Sequence, residues 1–374
     1  MLNILEQPLG NHNNCLLGCF VLPKYVGESV GVPIFKFSEL EKDVKTATRL
    51  MNIFSDINED LHPLKEQRDA DKYGKRIGIE FTGLADVLAS CGTRYGDEES
   101  IAFCEEISKT MLVNSIEESI NIAKEKGPCK ALYRIQDREK FVETCTWNKD
   151  IVDSFKEDII AYGMANTAFL TVGPAGSISI LSDNCTSGIE VPFMFSYKRR
   201  NRIDNKDYSF IHYPACLKMK ERISEFEGLT FTEAKEKLNY QEASEVHYKD
   251  KIKVQSALQK YTDSSISSTT NMDRSATPED IEKLYIYAWE KGLKGITVFR
   301  DGCKEGVLSS TEATDEEKRA QRNAIELPDM SIYERELLDV ETSERVRVQW
   351  KKSKLYVNVS LDEDDMPIEV FTKL

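Results

Sequence analysis

Residues 277–302 combine a capped helix with a buried strand, and this order of elements restricts the fold more than any other feature of the sequence. Thr277 is typical of an N-cap, Pro278 of the first helical position, and Gly292 marks the end of the helical pattern. The run that follows, 295–299, is short, apolar and β-branched, as buried parallel strands are. A helix followed by a buried strand and a polar loop is the repeating unit of an α/β barrel or a doubly wound sheet. The predicted apolar face of the helix consists of Ile281, Leu284, Tyr285, Ala288 and Trp289.

A second stretch has the composition of a phosphate-binding loop. It follows a strand-like run at 168–172 and contains two glycines, which let a ligand approach the backbone, and two serine hydroxyls at alternate positions. Such a loop supplies several N–H and O–H donors at once, as a phosphate requires. Taken alone, the same pattern also fits an ordinary glycine turn after a strand. The predicted loop consists of Gly173, Pro174, Ala175, Gly176, Ser177, Ile178 and Ser179.

The composition is that of a soluble, packed protein and argues against several classes of function. Of the 374 residues, 40% are hydrophobic and 30% are charged. No run approaches the roughly 18 apolar residues of a membrane span, and the N-terminus lacks a signal-peptide pattern. We therefore expect a cytoplasmic protein with no membrane partner. The net charge of −14 argues against direct binding of nucleic acid, because such proteins carry a basic surface.

The cysteines and histidines do not predict a metal site. Nine cysteines are scattered along the chain without a CxxC pair, and the four histidines form no cluster with metal-ligand spacing. A secreted disulfide framework is disfavoured at this length and spacing. Most of the cysteines are expected to be buried thiols that pack as small hydrophobic side chains.

Two further regions have clear periodicity. Ser38 and Glu41 fit a capping box, and the apolar residues that follow at helical spacing predict an amphipathic helix over 39–61. Residues 309–328 are polar, with few apolar side chains, which predicts a solvated linker. Beyond the linker, apolar and polar residues alternate and predict a small antiparallel sheet within 329–374.

Four stretches together resemble the large catalytic subunit of ribonucleotide reductases, in particular the adenosylcobalamin-dependent class II enzymes. The match runs in the right order over nearly all of residues 1–308. It implies the C-terminal half of a ten-stranded α/β barrel with a finger loop, then the linker at 309–328. The β module at 329–374 looks like the start of the class II C-terminal extension. The four stretches are 6–9 with 14–18, 76–86, 173–179 with 186–190 and 197–200, and 255–263 with 294–302.

The resemblance implies radical chemistry on a ribonucleotide. In the family, a cysteine in an Asn-Pro-Cys-Gly-Glu motif becomes a thiyl radical and removes the 3′ hydrogen of the ribose. The glutamate acts as general base on the 3′ hydroxyl, and two further cysteines supply reducing equivalents by forming a disulfide. Glu6, followed by Gln-Pro-Leu, matches that glutamate, and Cys15 matches one of the two reducing cysteines. The alternatives are a surface Glu6 and a buried Cys15.

The resemblance also implies the ligands. The 173–179 sequence matches the family's Ala-Pro-Thr-Gly-Thr-Ile-Ser, which holds the phosphates of the substrate. Ala175 replaces a threonine, so the remaining hydroxyls are those of Ser177 and Ser179. The implied ligands and partners are a ribonucleoside di- or triphosphate, adenosylcobalamin, and a thioredoxin-like or other dithiol reductant. The choice between diphosphate and triphosphate stays open.

The match fails at the radical centre. The family motif would place its cysteine at position 4 and its asparagine at position 2, where this chain has Ile4 and Leu2. Neither side chain has an S–H or an amide. We therefore expect a split enzyme in which an N-terminal reductase fragment supplies the missing half of the barrel and the radical cysteine. Two alternatives stay open: a degenerate fragment that binds nucleotide or a partner subunit without turnover, and a phosphate-binding α/β domain that is not a reductase.

Overall fold

The fold is described by a computed structural model of residues 9–14, 16–29, 32–145, 147–192, 196–200, 207–211, 225, 228–229, 231–238, 240–300, 342–350, 353–361 and 367–373. The chain divides into two compact units, Met1–Ile325 and Glu326–Leu374, which are described separately. None of the described helices is both long enough and apolar enough to cross a membrane.

The first unit mixes helices and strands. Its described strands are β1 (Leu16–Val21), β2 (Val26–Ser29), β3 (Val32–Phe35), β4 (Ile77–Thr82), β5 (Ser196–Arg200), β6 (Asp207–Ile211), β7 (Thr269–Met272) and β8 (Thr297–Arg300). Its described helices are α1 (Phe37–Leu61), α2 (Lys65–Gly74), α3 (Leu84–Ser90), α4 (Glu98–Lys126), α5 (Ile135–Thr144), α6 (Lys149–Ser154), α7 (Lys156–Tyr162), α8 (Gly176–Leu181), α9 (Phe231–Lys237), α10 (Tyr248–Gln259) and α11 (Pro278–Glu290). Short 3₁₀ helices lie at Leu22–Tyr25, Lys130–Leu132 and Ala243–Glu245.

Parallel pairing joins strands that are distant in the chain. β1 pairs with β4 along its whole length, and β4 is bridged in parallel to the segment 168–172. That segment is bridged in parallel to 264–268, which β7 continues, and β7 pairs in parallel with β8. We call this series of segments the parallel arc. Helices lie between the segments of the arc along the chain, which confirms a mixed helix and strand architecture. Within the described parts of the chain the arc does not close, so the ten strands of the expected barrel stay a prediction.

The two faces of the parallel arc differ in polarity. Ile77, Ile79 and Phe81 of β4 are almost fully buried and belong to the main hydrophobic core. Because successive strand residues point to opposite faces, Glu80 and Thr82 lie on the other face, and both are buried as well. The arc therefore packs an apolar face into the core and carries buried polar groups on its opposite face.

Helix α1 begins earlier than the capping box predicts. Lys36, not Ser38, precedes the first helical residue, and no side chain caps the helix, so the predicted capping box is wrong. The reason is the packing of the preceding hairpin: Phe35 and Phe37 pack edge-to-face on each other and on Phe103, which fixes the chain direction at residue 36. The end of the helix, at Leu61, agrees with the prediction.

Helix α11 confirms its predicted start and corrects its predicted face. Thr277 accepts a hydrogen bond from the N–H of Asp280 and forms a capping box with it, and Pro278 is the first helical residue. Leu284 and Ala288 are buried, but Trp289 is 70% exposed. Only the stripe around Leu284 and Ala288 meets the small core that includes Ile252 of α10. The strand that follows, β8, starts two residues later than predicted.

The second unit contains an antiparallel sheet of three described strands, β9 (Thr342–Trp350), β10 (Ser353–Leu361) and β11 (Pro367–Lys373), with β10 in the centre. The alternation of apolar and polar residues predicted strands in this region. The predicted linker at 309–328 lies outside the described residues. The assignment of this sheet to a class II extension, and the domain limits at 308 and 328, stay predictions.

Candidate functional site

The 173–179 loop leaves the parallel arc at the carboxyl end of the segment 168–172. Its first residue is anchored, because the backbone N–H of Gly173 donates a 2.7 Å hydrogen bond to Oε2 of Glu80 on β4. Ligands of open parallel sheets bind outside the carboxyl ends of the strands, which is where this loop lies. The loop thus starts from a fixed point at an edge of the sheet that suits a ligand.

The loop turns sharply at Ala175. This residue has φ 46° and ψ 33°, the left-handed region that a side chain with a Cβ disfavours by about 1–2 kcal/mol. The six-residue helix α8 begins directly after it, at Gly176. Apart from its chain neighbours and the backbone of its own helix, no described atom lies within 4 Å of where a Cβ on Gly176 would stand, and Gly176 and Ser177 are both exposed. The middle of the loop therefore leaves open space above its backbone.

The two predicted hydroxyls have different surroundings. Ser177 is exposed, and its hydroxyl is open to a ligand. Ser179 is 2% exposed, and its hydroxyl donates to the carbonyl of Gly176 at 2.9 Å and lies 3.1 Å from Oγ of Ser187. Ser179 therefore stabilises the loop through the carbonyl of Gly176. Its expected contact with a phosphate stays a prediction.

A second strand-end segment packs under the loop. The hydroxyl of Thr82 donates to the carbonyl of Thr186 at 2.7 Å and accepts from the N–H of Gly188 at 3.1 Å. Gly188 has φ 53°, and a Cβ there would stand 2.5 Å from the carbonyl oxygen of Gly173. The loop can lie this close only because residue 188 is glycine.

Buried acidic side chains hold this segment in place. The fully buried carboxylate of Asp86 accepts a 2.6 Å hydrogen bond from the N–H of Thr186, and burial raises the pKa of Asp86 to about 7. Glu190 forms an ion pair with Lys251 of α10, which is 5% exposed, and also accepts from the N–H of Thr269 at 2.8 Å. The segment after the loop is thus tied to α3, α10 and β7.

The sequence reasoning missed these supporting residues. Glu80 offered a signal, since an acidic residue inside the otherwise apolar run 77–81 needs a buried partner. Thr82, Asp86 and Gly188 carry no comparable signal, because their roles depend on contacts between distant segments.

The predicted catalytic residues, Glu6 and Cys15, lie outside the described residues. The nearest described thiol along β1 is Cys19, whose register partner on β4 is Glu80. Burial, and secondarily the charge of Glu80, raises the pKa of Cys19 to about 12, and burial likewise raises that of Cys185 to about 12. Both thiols are therefore protonated at neutral pH. Among the side chains that the structure describes, no group of three or more His, Cys, Asp or Glu residues is arranged to hold a metal ion.

The arc and the loop define a parallel α/β protein with a candidate anion-binding loop at the carboxyl ends of its strands. The family described as ribonucleotide reductase, barrel domain, matches residues 4–299, and the chain belongs to this family.

Individual relatives are similar to most of this chain. A vitamin B12-dependent ribonucleoside-diphosphate reductase of Thermoplasma acidophilum is 26% identical over 334 residues, which are 86% of this chain and 40% of the relative. A protein of the same name from Mycobacterium tuberculosis strain CDC 1551 is 23% identical over 82% of this chain and 42% of its own length. The large subunit of a ribonucleoside-diphosphate reductase from Trypanosoma brucei brucei is 25% identical over 75% of this chain and 36% of its own. The chain thus spans about two fifths of the length of these relatives.

Proposed function

We propose that this chain is part of a ribonucleotide reductase and that its 173–179 loop binds the phosphates of the substrate. The observation that carries the proposal is an exposed, donor-bearing loop at the carboxyl end of a parallel arc, in a chain that belongs to the reductase barrel family. The substrate is a ribonucleoside di- or triphosphate. The names of the three relatives described above point to a diphosphate, and those names belong to the relatives alone.

The proposed contacts follow from the loop's geometry. The N–H groups in the first turn of α8 and the hydroxyl of Ser177 donate to the phosphate oxygens. The open space over Gly176 admits the ligand. Ser179 acts indirectly, because its hydroxyl holds the carbonyl of Gly176. Hydrogen bonds to a charged group contribute about 1.5–3 kcal/mol each, so a few such donors give measurable affinity.

The proposed chemistry uses residues that the family resemblance assigns. Glu6 is the general base that takes the proton of the 3′ hydroxyl. Cys15 is one of two thiols that together give two electrons and two protons to the ribose and become a disulfide, as the 2′ hydroxyl leaves as water. A dithiol reductant, such as a thioredoxin-like protein, then restores the two thiols.

The relatives' names also suggest adenosylcobalamin as the cofactor. A pocket lies between α3 and the chain near Tyr240 and is lined by Leu88, Tyr95 and Val191 among others. Its free volume is about 10 Å³. Small-molecule sites usually measure about 300–1,000 Å³, and a corrin ring needs more than this pocket offers. This pocket does not fit the cofactor, and the roles proposed for this chain concern the nucleotide and the thiols only.

We further propose that another part of the reductase packs against one side of α1. Five large apolar side chains repeat at helical spacing there, each between 42% and 69% exposed. We call this surface the α1 flank. Exposed apolar stripes of this kind mark interaction sites. The α1 flank consists of Leu50, Ile53, Phe54, Ile57 and Leu61.

The direction of the α1 flank supports this proposal. Lys45 and Arg49 lie on the side of α1 that faces α4, where Lys45 pairs with Glu117 at 2.8 Å and Arg49 pairs with Glu118 and Glu125. The α1 flank lies on the side away from α4. In an arc whose helices cover neighbouring strands, that is where the helix of a preceding α/β unit would pack. We propose that an N-terminal reductase fragment occupies this side of α1.

The alternative of a degenerate fragment has one specific observation in its favour, which is Ile4 at the position where the family has its radical cysteine. In that case the chain binds nucleotide through the same loop but never turns over. The two functions are separated by reduction assays, not by binding.

The decisive experiment is reconstitution. The chain is co-purified with the polypeptide that carries the remaining reductase segments, and reduction of CDP and CTP is measured with and without adenosylcobalamin. We expect activity only in the complex, and a loss of about 10²–10⁴-fold in Glu6→Gln, as for a well-placed general base. Glu28→Gln, at an exposed carboxylate on β2, is the matched control and should keep full activity. A complex that binds nucleotide but reduces none would favour the degenerate fragment, and robust reduction by the isolated chain would overturn the split-enzyme proposal.

A further inference from the structure

The start of the 173–179 loop is determined by an exchange of hydrogen-bond acceptors. β4 and the segment 168–172 pair in a parallel ladder, in which Ile79 donates to the carbonyl of Phe169 at 2.8 Å and accepts from the N–H of Thr171 at 3.3 Å. A parallel ladder continues in steps of two residues, so Phe81 would next donate to the carbonyl of Thr171 and accept from the N–H of Gly173. The N–H of Gly173 donates instead to the side-chain carboxylate of Glu80, at 2.7 Å.

This exchange lies where the chain leaves the sheet, at Gly173. The carboxylate of Glu80 projects from a face of β4, away from the edge at which the backbone carbonyls of the strand lie. A segment whose N–H donates to this carboxylate is therefore displaced from the edge of the strand. Glu80 is 3% exposed and Gly173 is buried, so the hydrogen bond is shielded from water. The carbonyl side of Gly173 is confined as well, because Gly188 packs directly against it.

We infer that Glu80 is a positioning residue that fixes where the 173–179 loop starts and in which direction it runs. The inference rests on the proposed function of the loop as a phosphate site, and it adds a residue on a different strand that touches no phosphate. Glu80 acts through the backbone of Gly173. Its loss lets the ladder extend or the loop move, and the donors of the loop then no longer converge on one ligand.

A second buried carboxylate provides a matched control. Asp263 accepts hydrogen bonds from the N–H groups of Phe169 at 2.7 Å and Leu170 at 2.6 Å, at the opposite end of the same segment. Both carboxylates therefore hold backbone N–H groups of one short stretch, but only Glu80 holds the end that leads into the loop. A comparison of variants at Glu80 and Asp263 therefore distinguishes general loosening of the segment from misplacement of the loop.

The first measurement is hydrogen–deuterium exchange of the full chain, resolved to single amides and made without ligand. Glu80→Met, which keeps the side-chain length but removes the acceptor, should speed exchange at Gly173 about tenfold to hundredfold, as expected for loss of a charge-assisted bond. Glu80→Gln keeps a carbonyl acceptor and should stay within about threefold of wild type. Asp263→Asn should affect Phe169 and Leu170 and leave Gly173 unchanged. If Glu80→Met does not fold, Glu80→Asp makes the same comparison with a side chain one methylene shorter.

The second measurement is calorimetric titration of the same variants with CDP. We expect Glu80→Met to weaken CDP binding at least about tenfold, Glu80→Gln to restore most of it, and Asp263→Asn to bind as wild type does. Unchanged exchange at Gly173 in Glu80→Met overturns the inference, as does equal weakening of CDP binding in Asp263→Asn. If wild type binds no CDP, the proposed phosphate site fails, and the exchange data still decide whether Glu80 positions the loop.

Discussion

The carboxylate of Asp86 accepts a 2.6 Å hydrogen bond from the backbone N–H of Thr186, and both residues are buried. Burial raises the pKa of Asp86 to about 7, although the hydrogen bonds from Thr186 and Tyr240 act in the opposite direction. The folded chain therefore keeps a proton on this carboxyl at pH values where the unfolded chain has lost it. Because the folded state binds more protons over that range, the free energy of unfolding should fall as pH rises from about 4 to about 7 and then level off.

We predict that Asp86→Asn removes this part of the pH dependence. Asparagine does not ionise and can still accept from the N–H of Thr186, so the variant should gain stability relative to wild type as pH rises, by up to about 1.4 kcal/mol per pH unit. Urea unfolding at several pH values between about 4 and 8 measures the difference. Asp150→Asn, at an exposed carboxylate on α6, should follow wild type. Parallel pH profiles for wild type and Asp86→Asn would mean that Asp86 is ionised in the folded chain.

The two serines of the 173–179 loop should separate affinity from stability. Ser177→Ala removes an exposed hydroxyl, so nucleotide affinity should fall by about 1.5–3 kcal/mol with no change in melting temperature. Ser179→Ala removes a buried hydroxyl that holds Gly176, so both stability and affinity should fall, stability by about 1–3 kcal/mol. Calorimetry with CDP and thermal unfolding of each variant measure the two effects. Equal affinity of Ser177→Ala and wild type would remove Ser177 from the site.

The thiols of the first strand region should differ in function. Cys15→Ser should abolish multiple turnover of the reconstituted enzyme with a dithiol reductant, because serine cannot form the disulfide. Cys19→Ser is the matched control on β1 and should keep full turnover. Because burial keeps Cys19 protonated, this thiol should react slowly with alkylating reagents in the wild-type chain. Steady-state assays and mass-spectrometric labelling decide between them. Full turnover by Cys15→Ser would make Cys15 a packing residue.

The α1 flank offers a test of assembly that does not depend on catalysis. Ile57 is 52% exposed on the α1 flank, and Ile135 is 50% exposed at the start of α5. We predict that Ile57→Lys weakens co-purification with the remaining reductase segments by at least about tenfold, since one buried charge at an apolar contact costs more than 1.4 kcal/mol. Ile135→Lys should leave co-purification unchanged. Pull-down at matched concentrations and thermal unfolding of each variant alone provide the readout, and equal behaviour of the two variants would move the docking surface elsewhere.

Local patterns in the sequence predicted some elements well. Thr277 and Pro278 identified the start of α11, because capping depends on a few neighbouring residues. The run 168–172 was correctly assigned to the sheet, where it forms only bridges, because it is short and apolar. Ser38 misled the prediction of the start of α1, since aromatic packing between the preceding hairpin and α4 decides it.

The support of the site was beyond local patterns. Nothing near residue 80 in the sequence indicates that its carboxylate meets Gly173, since this contact requires the register of two distant strands. The exposed Ser177 and the buried Ser179 have the same chemistry and differ only in which way α8 turns them. Composition identified the loop, whereas tertiary contacts decide which of its donors are free.

The chain order of the parallel arc has a consequence for how the protein folds. Leu16 pairs with Ile77, and Val172 is bridged to Ile266, so every pairing in the arc closes a long loop before it gains a contact. Such non-local pairings slow folding, whereas helices and their close neighbours form early. We expect the long helices α1 and α4 to form first, because their backbone hydrogen bonds are local, and the pairings of the arc to follow. During that delay the strands of the arc expose unpaired backbone groups to other chains, so the partly folded protein is at its most prone to aggregation before the arc forms.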